Sequence, residues 1–150
     1  MQWKPNVTVA AIICNKDRYL LVEENADGHI VFNQPAGHIE ESETLIDAVK
    51  REVLEETAWQ FQPAYLSGVY LHRNPHNGIT YLRFCFYGTC SDFDKNRKLD
   101  DGIIRAVWMD IDEIRSQSKR LRTPVVLKCI EDFLSGSNVP LDILSSDTYL

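Results

Sequence analysis

Glu52, Glu55 and Glu56 are the residues whose type and spacing most directly suggest chemistry. On an α-helix, Glu55 lies three and Glu56 four positions beyond Glu52, so the three carboxylates project from neighbouring turns toward one point. Three like charges held together repel. The cluster becomes favourable when a cation sits in it, and hard oxygen donors suit Mg²⁺, with Mn²⁺ as a substitute and Ca²⁺ less suited to catalysis. A bare Glu-x-x-Glu-Glu is also what an ordinary solvated acidic helix face looks like. The surrounding pattern separates these readings: Gln34-Pro35-Ala36-Gly37, five residues, Glu43, seven residues, then Arg51-Glu52-Val53-Leu54-Glu55-Glu56. Clustered carboxylates holding Mg²⁺ would neutralise non-bridging phosphate oxygens and orient a water. The bond such a site could break is a phosphoanhydride, with no covalent nucleophile needed.

Positioning those carboxylates takes a helix from about Ser42 to Ala58, with Ser42 as its N-cap, Glu43 at the positive end of the dipole, and Leu45, Val49 and Val53 as an apolar stripe. Upstream, Val7–Cys14 reads as a strand covered on both faces, followed by Arg18–Glu24 and His29–Asn33 joined through the turn Asn25-Ala26-Asp27-Gly28. Gln34-Pro35-Ala36-Gly37 breaks the last of these just before the helix, putting backbone carbonyls beside the carboxylates. Downstream, Gln62–Arg73 and Ile79–Thr89 are long strands, Cys90–Asp101 a polar loop and Ile103–Met109 another strand. Asp110 or Asp112 caps a short helix. Thr123-Pro124 opens a final helix with Val126, Cys129, Ile130 and Phe133 buried and Gly136 ending it; Ser137–Leu150 has no clear period. Strands, one central helix, strands and a C-terminal helix make a mixed α/β domain.

At 150 residues and 44% hydrophobic composition, one domain spanning 1–150 is expected. A net charge of −6 argues against a nucleic-acid surface, so an anionic small molecule must be drawn in locally. Cys14, Cys85, Cys90 and Cys129 have no zinc or Cys-x-x-Cys spacing and read as reduced core thiols. With no signal-peptide core and no apolar run of membrane length, a cytoplasmic location and no membrane partner are expected. A monomer is expected rather than a stable oligomer.

The stretch Gly37–Trp59 resembles the Nudix box of the Nudix hydrolases, Gly-x5-Glu-x7-Arg-Glu-U-x-Glu-Glu-x-Gly-U, with U a bulky aliphatic. Every position from Gly37 to Glu56 matches; Ala58 replaces a glycine and Trp59 an aliphatic. The family glycine ends the helix, and a non-glycine residue at positive φ there would be strained by about 1 kcal/mol. The resemblance implies an α/β/α sandwich around a mixed sheet with a loop-helix-loop catalytic motif, and hydrolysis of an organic group linked to diphosphate. Carried over, Glu52 and Glu56 match the principal metal ligands, Glu55 a further one, and the Ala36 carbonyl a backbone ligand. Arg51 matches the arginine that fixes a catalytic glutamate, and Glu43 the glutamate supporting it. The general base varies in the family, leaving Glu52, first of all a ligand, and the Asp100-Asp101 pair as competing candidates.

His38 could donate to phosphate or simply be exposed. Tyr81 and Arg83, two apart on a strand, could stack on a base and pair with a phosphate, or be aromatic core plus surface arginine; Phe32 and Tyr70 are similarly open. Lys4-Pro5, Val7-Thr8-Val9-Ala10, Leu21-Val22-Glu23-Glu24, Asn33–His38, Leu82-Arg83-Phe84 and Arg122-Thr123-Pro124 are similar, in order, to the NudJ-like phosphatase branch. That branch implies Mg²⁺-dependent release of phosphate from nucleoside tri- and diphosphates and from the pyrophosphates of thiamine and its hydroxymethylpyrimidine precursor. The alternatives are another Nudix specificity, releasing diphosphate or cleaving ADP-ribose, and a non-catalytic ligand sensor.

Overall fold

Strand β1 (Asn6–Asn15) organises the molecule, because its residues alternate between two cores. The computed structural model describes residues 1–145 and 150. Ala10 and Ile12 of β1 pack into one core with Val126, Cys129 and Ile130 of helix α3 (Val125–Leu134). Val9, Ala11 and Ile13 pack into the other with Ala48, Val49 and Val53 of helix α1 (Leu45–Thr57). A strand buried on both faces must be apolar at every position, which explains the unbroken run Val9-Ala10-Ala11-Ile12-Ile13. The outcome is an α/β sandwich with a helix on each side of a mixed sheet.

β2 (Arg18–Ala26), β3 (His29–Asn33), β4 (Ala36–His38), β5 (Gln60–Arg73), β6 (Thr80–Ser91), β7 (Ile103–Asp110) and β8 (Val139–Pro140) complete the sheet in the order β3-β2-β1-β6-β5-β8, with β4 beside β1 and β7 beside β2. Among the described strands, β1 and β6 run parallel, from Asn6↔Tyr81 to Ile13↔Gly88; the other strand pairs are antiparallel. β5 and β6 form the long hairpin expected around Asn77-Gly78, with Gly78 at φ 73°. Asp27 and Gly28 take φ 53° and 85°, the paired positive values their turn requires.

Several expectations need correction. α1 begins at Leu45, with Thr44 rather than Ser42 as its cap: Thr44 Oγ1 accepts from Asp47 N–H at 3.0 Å. Ser42 sits in a turn at φ 61°, and Glu43 therefore lies outside the helix. Gln34–Gly37 is not simply a break, since Ala36–His38 rejoins the sheet against β1 while the Pro35 carbonyl accepts from Ala11 N–H at 2.9 Å. Thr123 does not cap α3; Pro124 occupies that position with no side-chain bond, because a threonine one residue earlier is out of reach of the first turn's amides. Cys90 belongs to β6 rather than to the following loop. Helix α2 (Ile111–Ser116) is capped by Asp110, which accepts from Glu113 N–H while Glu113 accepts from Asp110 N–H. The tail contributes β8 and a short turn at Leu141–Ile143, and 146–149 lie outside the described residues. The four cysteines are free, and no helix among the described residues is long and apolar enough to cross a membrane.

Ala58 is where the sequence departs from the box, and it caps α1 at φ 64°, donating its N–H to the Leu54 carbonyl at 3.0 Å. The helix ends with the left-handed geometry a glycine would favour, and the alanine bears the strain.

Candidate functional site

The middle of α1 is tied to the preceding loop by one guanidinium. Arg51 Nε and Nη2 donate to the two carboxylate oxygens of Glu43 at 2.7 and 2.9 Å. Its Nη1 donates to Glu52 at 2.8 Å and to Glu55 at 3.2 Å, and its Nη2 also reaches the His38 carbonyl at 3.0 Å. The planar fork of arginine suits this task, since a lysine offers a point charge with no bidentate geometry. The bonds to Arg51 pull the Glu43 carboxyl below its usual range, and Glu43 in turn holds the Arg51 guanidinium above its ordinary value. Glu43 lies outside the helix rather than at its dipole, and bonds Arg51 from the loop, as the resemblance implied.

Carboxylates from two parts of the chain converge here. Glu52, Glu55 and Asp100 each place an oxygen within 4.8 Å of the others. Asp100 arrives on the β6–β7 loop, which is fixed to the end of α1 by Asp94 N–H to the Ala58 carbonyl and Asp100 N–H to the Glu55 carbonyl, both 3.0 Å. Its neighbour Asp101 is exposed and outside that group. Glu56, expected to join Glu52 and Glu55, turns inward, 8% exposed, accepting from Ala36 N–H at 2.9 Å. It still shares a cavity wall with Glu52. Gly37 is required by proximity, since a Cβ there would collide with the Glu52 carboxyl.

Burial pushes the Glu52 carboxyl up to about 7, with Arg51 opposing and Glu55 and Asp100 reinforcing. Burial likewise raises Glu55, helped by Asp100, and raises Glu56 well above its ordinary value despite the Ala36 amide. A divalent cation among these groups would favour the charged form of each, and the donor set of hard carboxylate oxygens fits Mg²⁺ or Mn²⁺.

A cavity of about 370 Å³ adjoins the carboxylates, within the size range of small-molecule sites. Ala36, Gly37, His38, Glu52 and Glu56 line one part of it, and Tyr81 and Arg83 are also in its wall. Tyr81 and Arg83 thus share the strand face that their spacing required. Arg83 is no surface arginine: it is 6% exposed and its Nη2 donates to Gln34 Oε1 at 2.8 Å and Asn33 Oδ1 at 3.3 Å. His38 is exposed at the rim, 6.1 Å from the Tyr81 ring. Phe32 and Tyr70 belong to the core beneath, Tyr70 donating to Asp132 at 2.8 Å.

Sequence reasoning missed the rest of the lining. His72, Asn74, Arg122 and Thr123 join Glu24 and Asn33 in the same wall. Arg122 Nη1 donates to Glu24 at 2.7 Å, and the His72 ring stacks on Tyr81 with centroids 5.7 Å apart. Strand alternation could have offered His72, which faces Tyr81 across the β5–β6 hairpin. Arg122 and Thr123 lie in the Arg122-Thr123-Pro124 segment that carried part of the resemblance, but nothing local to that segment tells that it meets the carboxylates.

A NUDIX domain profile matches residues 4–129 of the chain. The sequence is similar to Phosphatase NudJ of Escherichia coli K12, 34% identical over 142 residues, covering 95% of this chain and 92% of that one. The fold is similar to a NUDIX hydrolase from Nitrosomonas europaea at 55% identity, with a TM-score of 0.93 and coverage of 95% of this chain and 97% of that one. It also follows the MutT NUDIX hydrolase of Burkholderia pseudomallei, with a TM-score of 0.74 at 23% identity over 87% of this chain and 98% of that one, a likeness of fold alone.

Proposed function

The chain belongs to the NUDIX family and is a hydrolase acting on phosphoanhydrides; from that premise we propose that it releases inorganic phosphate, with Mg²⁺, from nucleoside tri- and diphosphates and from the diphosphates of thiamine and its hydroxymethylpyrimidine precursor. The observation that carries this reading is one cavity lined by Glu52 and Glu56 as well as by the buried Arg83, with Glu55 and Asp100 gathered against Glu52. The similarity to a phosphatase over nearly the whole chain supports phosphate rather than diphosphate as the product.

Glu52, Glu55 and Glu56 would hold the ion, joined by the Ala36 carbonyl, with Asp100 beside them. Bound there, the ion would neutralise charge on non-bridging phosphate oxygens and make a water more acidic. Arg51, held by Glu43, orients the Glu52 and Glu55 carboxylates so that their positions are set before substrate arrives. Glu52 is a ligand first. Asp100, exposed and less enclosed, is the better placed of the competing bases to take a proton from water and pass it to solvent. Arg83 and Tyr81 face the organic side of the substrate, and His38 stands at the rim where phosphate would enter. Four free thiols suit a reducing, cytoplasmic setting.

A panel of nucleoside and thiamine phosphates, assayed with Mg²⁺ separately for phosphate and for diphosphate, tests the reading. Phosphate from nucleoside diphosphates and from thiamine diphosphate is expected. Diphosphate alone, and only from triphosphates, would replace it with pyrophosphohydrolysis.

A further inference from the structure

Arg83 carries a permanent charge in a buried position, yet among the described residues its bonds run only to the neutral amide oxygens of Asn33 and Gln34. A buried guanidinium with no carboxylate partner is costly, and a bound group that brings acceptors or negative charge would offset that cost. Both bonds use Nη2, which leaves Nη1 without a protein acceptor among the described residues. Arg83 Nε, Thr123 Oγ1 and His72 Nδ1 are the buried side-chain polar atoms that find no partner among the described residues, and all three residues line the cavity beside the carboxylates. Clustering of unmet polar atoms in one wall is what a preformed ligand surface requires, because isolated ones are rare. Arg122 donates through Nη1 to Glu24 and lines the same cavity. The stacked rings of His72 and Tyr81, tilted by only 24°, supply a flat wall. Burial and the Arg83 charge hold the His72 imidazole below its ordinary value, so the wall is neutral at the ring and positive at the guanidinium.

We infer that His72, Tyr81, Arg83, Arg122 and Thr123 form an organic-group subsite that prefers planar, uncharged or anionic groups edged with hydrogen-bond acceptors over ring cations. The inference rests on the hydrolase reading above and deepens it by ranking its substrates. Nucleobases present carbonyl oxygens and ring nitrogens, the acceptors that an arginine fork pairs with best. Thiamine presents a thiazolium, whose positive charge would face the uncompensated Arg83 in a site of low dielectric.

The intact protein with Mg²⁺ would be given uridine diphosphate, thiamine diphosphate and methyl diphosphate, the last having the reacting group but no ring. The expected kcat/KM favours uridine diphosphate over thiamine diphosphate by about ten-fold, the equivalent of one charge-assisted hydrogen bond. Arg122→Gln and Thr123→Val should each lower kcat/KM for uridine diphosphate by about ten-fold, chiefly through KM, and lower it more than for methyl diphosphate. A wild type that prefers thiamine diphosphate, or a uridine-to-methyl ratio that neither variant moves, overturns the subsite while leaving the hydrolase reading intact. If no diphosphate is cleaved, the phosphate-releasing reading fails, and calorimetric titration with uridine and thiamine diphosphates judges the subsite alone. Tighter uridine diphosphate binding, weakened in both variants, supports it; equal or reversed affinities overturn it.

Discussion

Replacing Glu52 by glutamine should stabilise the metal-free protein at pH 8 while removing activity. Glu52 is 8% exposed, and burial pushes its carboxyl from 4.5 up to about 7. The folded state therefore binds this proton more tightly than the unfolded chain does. Its stabilisation is complete below the unfolded value and drains away as pH rises from about 4.5 through 7. At about 1.36 kcal/mol per pH unit, the gap between the two values amounts to about 3 kcal/mol lost by pH 8. The attraction of Arg51 already opposes that rise, so it need not be subtracted again. Glutamine keeps the shape and cannot ionise, so the variant escapes the loss. For a chain of this size, about 3 kcal/mol corresponds to about 6–12 °C in Tm. Scanning calorimetry with a chelator at pH 5, 6, 7 and 8 should show the two melting curves separating as pH rises, with the variant higher. Adding Mg²⁺ at pH 8 should raise the wild type more than the variant, since the ion binds the native carboxylate. A Tm difference that stays flat from pH 5 to pH 8 would mean that Glu52 ionises freely where it sits, and the burial argument would be wrong.

Glu56→Gln retains an oxygen to accept from Ala36 N–H and removes only the charge. Phosphate release should fall by about 100-fold or more with an unchanged circular dichroism spectrum; full activity would remove Glu56 from the metal set. Ala58→Gly relieves a left-handed alanine at φ 64°. The relief of about 1–2 kcal/mol, less about 0.4–1 kcal/mol for the freer unfolded chain, leaves a net gain of about 0–1.6 kcal/mol in urea unfolding. A loss of stability instead would show that the helix end is unstrained.

Residues that answer only to their near neighbours could be read from the chain alone. The apolar run of β1 implied burial on both faces, and Asp27-Gly28 implied its own turn. The position of α1 was legible, but its first residue was not. Thr44 and Ser42 are both competent caps, and the choice follows from Glu43, whose bond to Arg51 is a contact across eight residues. The site was half legible for the same reason. Glu52, Glu55 and Arg51 are close in sequence, whereas His72, Arg122 and Thr123 come from separate elements and meet only through sheet order. Asp100 and Asp101 are indistinguishable as letters. A single backbone bond to the Glu55 carbonyl separates them.

Every helix finishes with carbonyls that no amide of its own can reach. In this molecule the Glu55 and Ala58 oxygens at that finish serve as two moorings for the strand-to-strand crossing at 92–102. The acidic group borne by that crossing is therefore berthed by peptide geometry. The exposed residues 95–98 can be exchanged while their number is kept. Adding or deleting one there would slip the line and carry Asp100 off its station, without touching any letter of the stretch from Gly37 to Glu56.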